Sequence, residues 1–487
     1  MAPGRTMREP PILSGQEPLP AIARGIFASA LDDCSVAKAF ARAVRLEDTL
    51  DRAQALRIGD HSVALENIRR VRILAAGKAA HAMLTAMLPI LPEHLDRQGI
   101  VIAPTHRRAL PSGFEFFAGG HPLPNAASFA GARAAMSMLE TTQPTPSDRV
   151  ADLADTLWIF LISGGASAML ELPLDPAISL EETIAFHRTL VHSGASISEI
   201  NCVRKHFSAV KGGRLAALTG GAACVSILIS DVPHGHVDAI GSGPTVPDTT
   251  TTEDCRAILA RYRLMERFPA SIQQFFSLAE LPETPKPGAF IAPALCLLDA
   301  NELAQAALHH AEQLGFHAVI DNSCDDWDYR AATDYLLARL RVLRRIYPRV
   351  CLISAGEVTV ESTDQRLLSS GIGGRNQQFA LYAATRLEAS DSPIAILSAG
   401  SDGIDGNSAA AGAVVDHHTL RDPGLRAAAQ ESLQQFCSTM FLERVGCTIT
   451  TGHTGNNLRD LRLLLAESTR LTDARTSPVP SAEASLQ

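Results

Sequence analysis

Short apolar runs that alternate with long helical stretches constrain this chain more than any other feature. The runs are Val71–Ala75, Ile100–Ala103, Leu157–Ile162, Val225–Ser230, Val350–Ser354 and Ile394–Ser398. Strands that are apolar throughout are buried on both faces. Between them, Ala79–Met87, Ala126–Glu140, Ala331–Arg345 and Gln377–Leu387 carry helical patterns. The alternation predicts an α/β fold with parallel sheets covered by helices. A chain of 487 residues is too long for one ordinary core, so two domains are expected. Thr141–Asp148, Leu281–Pro293 and Ser477–Gln487 read as loops or tails by their Pro, Ser and Thr content, and the second as a linker. The expected division is an extended arm over 1–20, a first domain over 21–285, a second over 286–470 and a tail over 471–487.

The formal net charge is -9 and no long basic run occurs, which argues against nucleic acid or an anionic membrane as partner. A small anionic ligand would need a local cluster of Lys and Arg. The nine cysteines are dispersed without a Cys-x-x-Cys pair, the pattern of reduced thiols in the cytoplasm. Met1–Pro20 lacks the apolar stretch of a signal peptide. The most apolar segment, Leu215–Ser230, is divided by Gly220 and Gly221 and reads as a helix end, a turn and a strand rather than a membrane span. No Gly-x-x-x-x-Gly-Lys-Ser/Thr occurs, and Gly371-Ile372-Gly373-Gly374-Arg375-Asn376 breaks the dinucleotide fingerprint at its last position.

Several strands end in small residues: Ser163-Gly164-Gly165, Ser354-Ala355-Gly356 and Ser398-Ala399-Gly400. Each alone reads as a tight turn. Together they suit backbone N–H groups that approach a phosphate beyond the carboxyl ends of strands. Gly77-Lys78 follows a strand and opens a helix, which aims a fixed cation at the same region. Asn201–Arg214 is the densest basic segment, and helical spacing puts Arg204, Ser208 and Lys211 on one face. Asp231 follows a strand, where a carboxylate serves as a Mg²⁺ ligand or as the base for a hydroxyl. His234 and His236 have no further ligand motif beside them to make a zinc site. Glu357, Asp402 and Asp405 are carboxylates just after strands in the second half, and Asp and Gly there also serve turns.

The chain resembles class II glycerate kinases, in which a Rossmann-like domain precedes a MOFRL domain. The resemblance runs from about Ile22 to Leu465. It is carried by Ala75-Ala76-Gly77-Lys78-Ala79-Ala80, Gly119-Gly120-His121-Pro122-Leu123-Pro124, Glu199–Arg214, Ser242–Asp248, Gly373–Gln377 and Asp402–Gly406. It implies an N-terminal Rossmann-like α/β/α parallel sheet, a C-terminal mixed α/β domain and an active site in the cleft between them. It also implies transfer of the γ-phosphoryl group of ATP, with Mg²⁺, to D-glycerate, giving 2-phosphoglycerate. The expected catalytic residues are Lys78, Arg375 and Asp231, and the expected metal ligands are Asp231, Asp402 and Asp405. Substrate or phosphate contacts are expected from Ser163, Gly164, Gly165, Ser167, Arg204, Lys205, Lys211, Gly243, Thr245, Glu357, Gly373, Gly374 and Asn376. A homodimer is compatible with this reading.

The chain departs from the family pattern at Asn125, where Asp is usual, and at His234-Gly235-His236, where Gly-Asp-Asp is usual. It also departs at Ala166, at Ser408-Ala409 and at Asn456. The alternatives are therefore a kinase for a related small hydroxy-acid, a hydroxypyruvate reductase, or an inactive nucleotide-binding paralogue.

Overall fold

The computed structural model describes residues 17–48, 54–105, 109–141, 155–233, 235–360, 371–391 and 393–468. The chain forms two compact units. Of the described residues, one comprises Cys34–Asp299 with Gly455–Leu458; the other comprises 17–33, Ala300–Thr454 and 459–468. The expected boundary near residue 285 therefore moves to Ala300. Leu281–Pro293 lies inside the first unit because the strand that follows it belongs to the first sheet. Residues before Cys34 join the second unit, contrary to a simple linear division. His234, residues 142–148 and residues 477–487 lie outside the described residues.

The unit Cys34–Asp299 opens with a small antiparallel sheet of β1 (Val44–Asp48), β2 (Gln54–Ile58) and β3 (His61–Ala64). Its main sheet contains β4 (Arg70–Ala76), β5 (Asp96–Ala103), β6 (Phe114–Ala118), β7 (Thr156–Ser163), β8 (Ala223–Ile229) and β9 (Ala294–Leu298). The order is β6-β5-β4-β7-β8-β9, and every pair is parallel. That is the doubly wound order, whose direction of winding reverses between β4 and β7. β7 is buried along its whole length, as its uninterrupted apolar sequence requires.

The second unit is built on β10 (His317–Ile320), β11 (Arg349–Ala355), β12 (Ile394–Gly400), β13 (Gly412–Asp416), β14 (Thr448–Ile449) and β15 (Asp460–Glu467), in the order β10-β11-β15-β12-β13-β14. Only β10 and β11 are parallel; the other neighbours are antiparallel. The mixed α/β character expected of this domain is found, and the sheet is mixed because β15 inserts between β11 and β12. The helix Leu19–Asp33 packs against β12, β13 and β15, burying Ile22, Ala23, Ile26, Phe27 and Ala30. Among the described residues no helix is long and apolar enough to cross a membrane.

Candidate active site

In the unit Cys34–Asp299, the switch point between β4 and β7 carries the first cluster. Gly77 ends β4 at φ +115°, and a Cβ there would overlap Ser163. Only glycine meets both demands. The turn is fastened to β7: the Lys78 N–H donates to the Gly164 carbonyl at 2.9 Å, and the Ala79 N–H donates to Ser163 Oγ at 3.0 Å. Lys78 leaves this rigid turn with its side chain exposed. The Asp231 carboxylate, beyond the end of β8, packs so closely on Gly164 that a Cβ would overlap it. His121 and Lys78 both lie over Gly165, at 3.0 and 3.3 Å from where a Cβ would stand. Burial, and then the charge of Lys78, push the His121 imidazole below its usual pKa. The ring is therefore neutral near pH 7 and can accept a proton. His121 was not among the expected site residues, although Gly119–Pro124 had signalled the segment.

The basic segment is divided by its surroundings. A capping box of Ser196 and Glu199 starts the helix Ile197–Phe207. The helix stops at Phe207 because Ser208 turns to extended backbone and bridges Pro173. Lys211 therefore does not share a helical face with Arg204, as the spacing had suggested. Lys211 is fully buried, and its Nζ donates to Glu171 at 2.5 Å. Lys205 is buried between Asp238 at 2.8 Å and Asp248 at 3.2 Å. Both lysines are neutralised inside the unit and hold loops together, so neither is placed to bind substrate. Arg204 alone among these three has no carboxylate against it among the described residues; its one hydrogen bond is a 3.5 Å contact from Nη1 to Asn201 Oδ1.

Ser167 Oγ lies 2.7 Å from Ser242 Oγ, which donates to Asn201 Oδ1 at 3.0 Å. Thr245 is buried and accepts from Ser226 Oγ at 2.8 Å, a packing role. Gly243, at φ +62°, accepts from the Gly213 N–H at 2.7 Å and fixes the turn after Lys211. Two departures from the family pattern have structural work. Asn125 Oδ1 accepts the Ser128 N–H at 2.9 Å and caps the helix Ala126–Thr141, a task Asn performs as well as Asp. Asn456 Nδ2 donates to the Cys34 carbonyl at 3.0 Å.

In the second unit, Gly373, Gly374, Arg375, Asn376, Asp402 and Asp405 line one cavity of ≈ 340 Å³. Arg375 opens the helix Arg375–Arg386. Its Nη2 lies 2.6 Å from Glu357 and its Nε 2.5 Å from Asp460. Burial would lower the Arg375 pKa, and the two carboxylates reverse this and keep it charged. Burial raises Glu357 despite Arg375.

Asp405 is almost wholly buried and accepts the N–H groups of Asn376 at 3.0 Å and Gln377 at 2.8 Å. It is an anchor for the helix start. Asp402 is half-buried on the cavity wall, with the Ile404 N–H donating to it at 3.1 Å. Ser354 and Ser398, expected at phosphate turns, instead flank Arg462 across β11, β15 and β12.

The first unit thus presents an exposed cation on a glycine turn at the switch point of a doubly wound α/β sheet, and the second unit separately presents a cavity lined by Arg375, Asp402 and Asp405. Comparison with known families gives the class. Residues 22–277 match the domain of unknown function DUF4147, and residues 350–460 match the MOFRL family. The chain belongs to this two-module family. It is similar to a Thermotoga maritima protein named D-glycerate 2-kinase, 34% identical over 81% of this chain and 90% of the relative. An Agrobacterium vitis relative, 35% identical over 81% of this chain and 87% of its own length, provisionally bears the name hydroxypyruvate reductase. The crystal structure of a Thermotoga maritima glycerate kinase superposes with a TM-score of 0.76 at 30% identity, covering 92% of this chain and 99% of the other.

Proposed function

We propose that the chain is a glycerate 2-kinase, which moves the γ-phosphoryl group of MgATP to the 2-hydroxyl of D-glycerate. The observation that carries the reading is the exposed Lys78 at the switch point, on a turn that only glycine can make and that packs on Gly164-Gly165, with Asp231 against Gly164. Phosphoryl transfer needs alignment and neutralisation of the moving charge rather than covalent help from the protein. Lys78 neutralises the equatorial oxygens of the transferred group. The bond from the γ-phosphorus to the bridging oxygen of ADP breaks as the bond to the glycerate oxygen forms. The hydroxyl proton passes to the Asp231 carboxylate, and ADP leaves.

Mg²⁺ enters with the nucleotide and needs only one or two protein carboxylates. Asp402, half-buried on the wall of the second unit's cavity, suits that demand. Asp405 does not, because its oxygens are engaged by the helix start. All nine cysteines are free, which suits a reducing compartment and a cytoplasmic enzyme.

The name of the Agrobacterium vitis relative favours a second reading, reduction of hydroxypyruvate. The doubly wound order also suits a dinucleotide, but Gly77-Lys78 stands where a glycine fingerprint would be needed. Coupled detection of ADP release with D-glycerate, set against NADH oxidation with hydroxypyruvate, separates the two. ADP release with the phosphate on the 2-position supports the kinase. Hydroxypyruvate-dependent NADH oxidation without ADP release would replace it.

A further inference from the structure

Arg204 is a half-buried cation of the first unit with no carboxylate in an ion pair with it among the described residues. Its Nε is shut off from solvent and has no hydrogen-bond partner. Its Nη1 reaches Asn201 only at 3.5 Å, the limit of a hydrogen bond. The nearest carboxylate in electrostatic reach is Glu171, and Glu171 is saturated. One of its oxygens accepts from Ser208 Oγ at 2.6 Å and the Leu172 N–H at 2.9 Å. The other meets His187 Nε2 at 2.7 Å and Lys211 Nζ at 2.5 Å. A guanidinium held this way is costly unless a ligand supplies the counter-charge. Burial accordingly lowers the Arg204 pKa in the empty protein.

The groups around Arg204 are arranged as a receptor. Asn201 lies one helical turn before it on the helix Ile197–Phe207. Ser242 donates to Asn201 Oδ1, so its own oxygen must accept from the Ser167 hydroxyl. That order leaves lone pairs on Ser167, in the short helix Ala166–Met169 that follows β7, for a donor from outside. Ser242 is held at φ +61°, a strained conformation for a residue with a side chain. A planar fork of N–H donors beside a hydroxyl acceptor matches a carboxylate that carries a neighbouring hydroxyl.

We infer that Arg204, with Asn201, Ser242 and Ser167 beside it, is the site that reads the carboxylate of the acceptor substrate and makes the enzyme select 2-hydroxy acids over neutral polyols. The inference rests on the kinase reading for its substrate class. Lys205 and Lys211 do not contribute to it. Glu171, Lys211 and His187 position the Arg204 region.

The test is steady-state kinetics of Arg204→Gln and Arg204→Lys with D-glycerate, its neutral amide glyceramide, and MgATP. In Arg204→Gln the KM for D-glycerate is expected to rise on the order of 10- to 100-fold, the size of a lost charge-assisted pair. The KM for MgATP is expected to stay in place, and the preference for glycerate over glyceramide to collapse. A shift in the MgATP KM instead would assign Arg204 to a phosphate and overturn the inference, as would unchanged KM values for both. Thermal midpoints show whether Arg204→Gln folds. If it does not, Arg204→Lys, which keeps the charge and loses the fork, carries the same comparison. If the wild-type chain phosphorylates no hydroxy acid, the kinase reading fails separately. Calorimetric titration of D-glycerate into wild type and variant then decides the Arg204 site: binding lost in the variant supports it, and equal binding, or none to either, overturns it.

Discussion

The backbone N–H of Gln377 donates to the Asp405 carboxylate at 2.8 Å, and the Gln377 side-chain amide donates to the same oxygen at 3.0 Å. The other oxygen serves Asn376 through its N–H at 3.0 Å and its side chain at 3.3 Å. One buried carboxylate thus fixes the helix start that launches Arg375. Asp405→Ala is expected to lower unfolding stability by about 3 kcal/mol, the cost of orphaned buried donors at a helix start. Denaturant melts of the variant measure it; an unchanged midpoint would remove the anchoring role.

Lys78 and Arg375 are expected to behave differently on removal. Lys78 is exposed, so Lys78→Ala leaves stability within about 0.5 kcal/mol. Its turnover is expected to fall by about 10²–10³-fold, as for loss of one transition-state donor. Arg375→Ala also leaves the buried Asp460 without its partner, so it is expected to lose stability as well as turnover. Melting curves beside kinetics for both variants check this; equal thermal midpoints would show that the Arg375 ion pairs are unimportant to the fold.

Lys211→Met would strand Glu171, a fully buried carboxylate. The expected loss is about 3–5 kcal/mol. The double variant with Glu171→Gln should recover part of it, because the buried charge is then gone as well. A double-mutant cycle in urea measures the coupling, and strict additivity would count against a structural ion pair.

Acidification should destabilise the first unit through two groups. Burial pushes the His187 imidazole down from 6.5 to about 4. For Glu171 burial works upward, but Lys211 and His187 prevail and bring it from 4.5 to about 2. In both cases the unfolded chain takes up a proton before the native one does. Stability is therefore present above the unfolded values and lost as pH falls, first between 6.5 and about 4 for His187 and then between 4.5 and about 2 for Glu171. His187→Gln should flatten the first part of that slope in urea midpoints taken across pH. An unaltered slope would exclude His187 as its source.

The first unit's strands were legible because β4, β7 and β8 are nearly continuous apolar runs, and the Gly77-Lys78 turn sits where such runs end. β15 was not, although Asp460–Glu467 is just as apolar at its centre, because its place in the sheet depends on partners about a hundred residues earlier in sequence. The cations show the same limit. Arg204, Lys205 and Lys211 look equivalent in one short segment, and spacing cannot reveal that Asp248 stands 43 residues from Lys205 and Glu171 40 residues from Lys211. Only tertiary structure separates the neutralised lysines from the unmatched arginine. Asp405 read as a turn or a metal ligand for a related reason: the amides that saturate it come from another loop.

The helix Leu19–Asp33 carries one more consequence, for synthesis. Its apolar face is made long before the elements that cover it, the helix Ala300–Gln313 and strands β12, β13 and β15. Ile22, Ile26 and Phe27 gain their first native cover from the helix Ala300–Gln313, and the cover is complete only when β15 has been made. The nascent chain is sticky at this helix while the whole first unit is being made, and holdase chaperones should matter more to its yield than to that of a protein whose domains close in order.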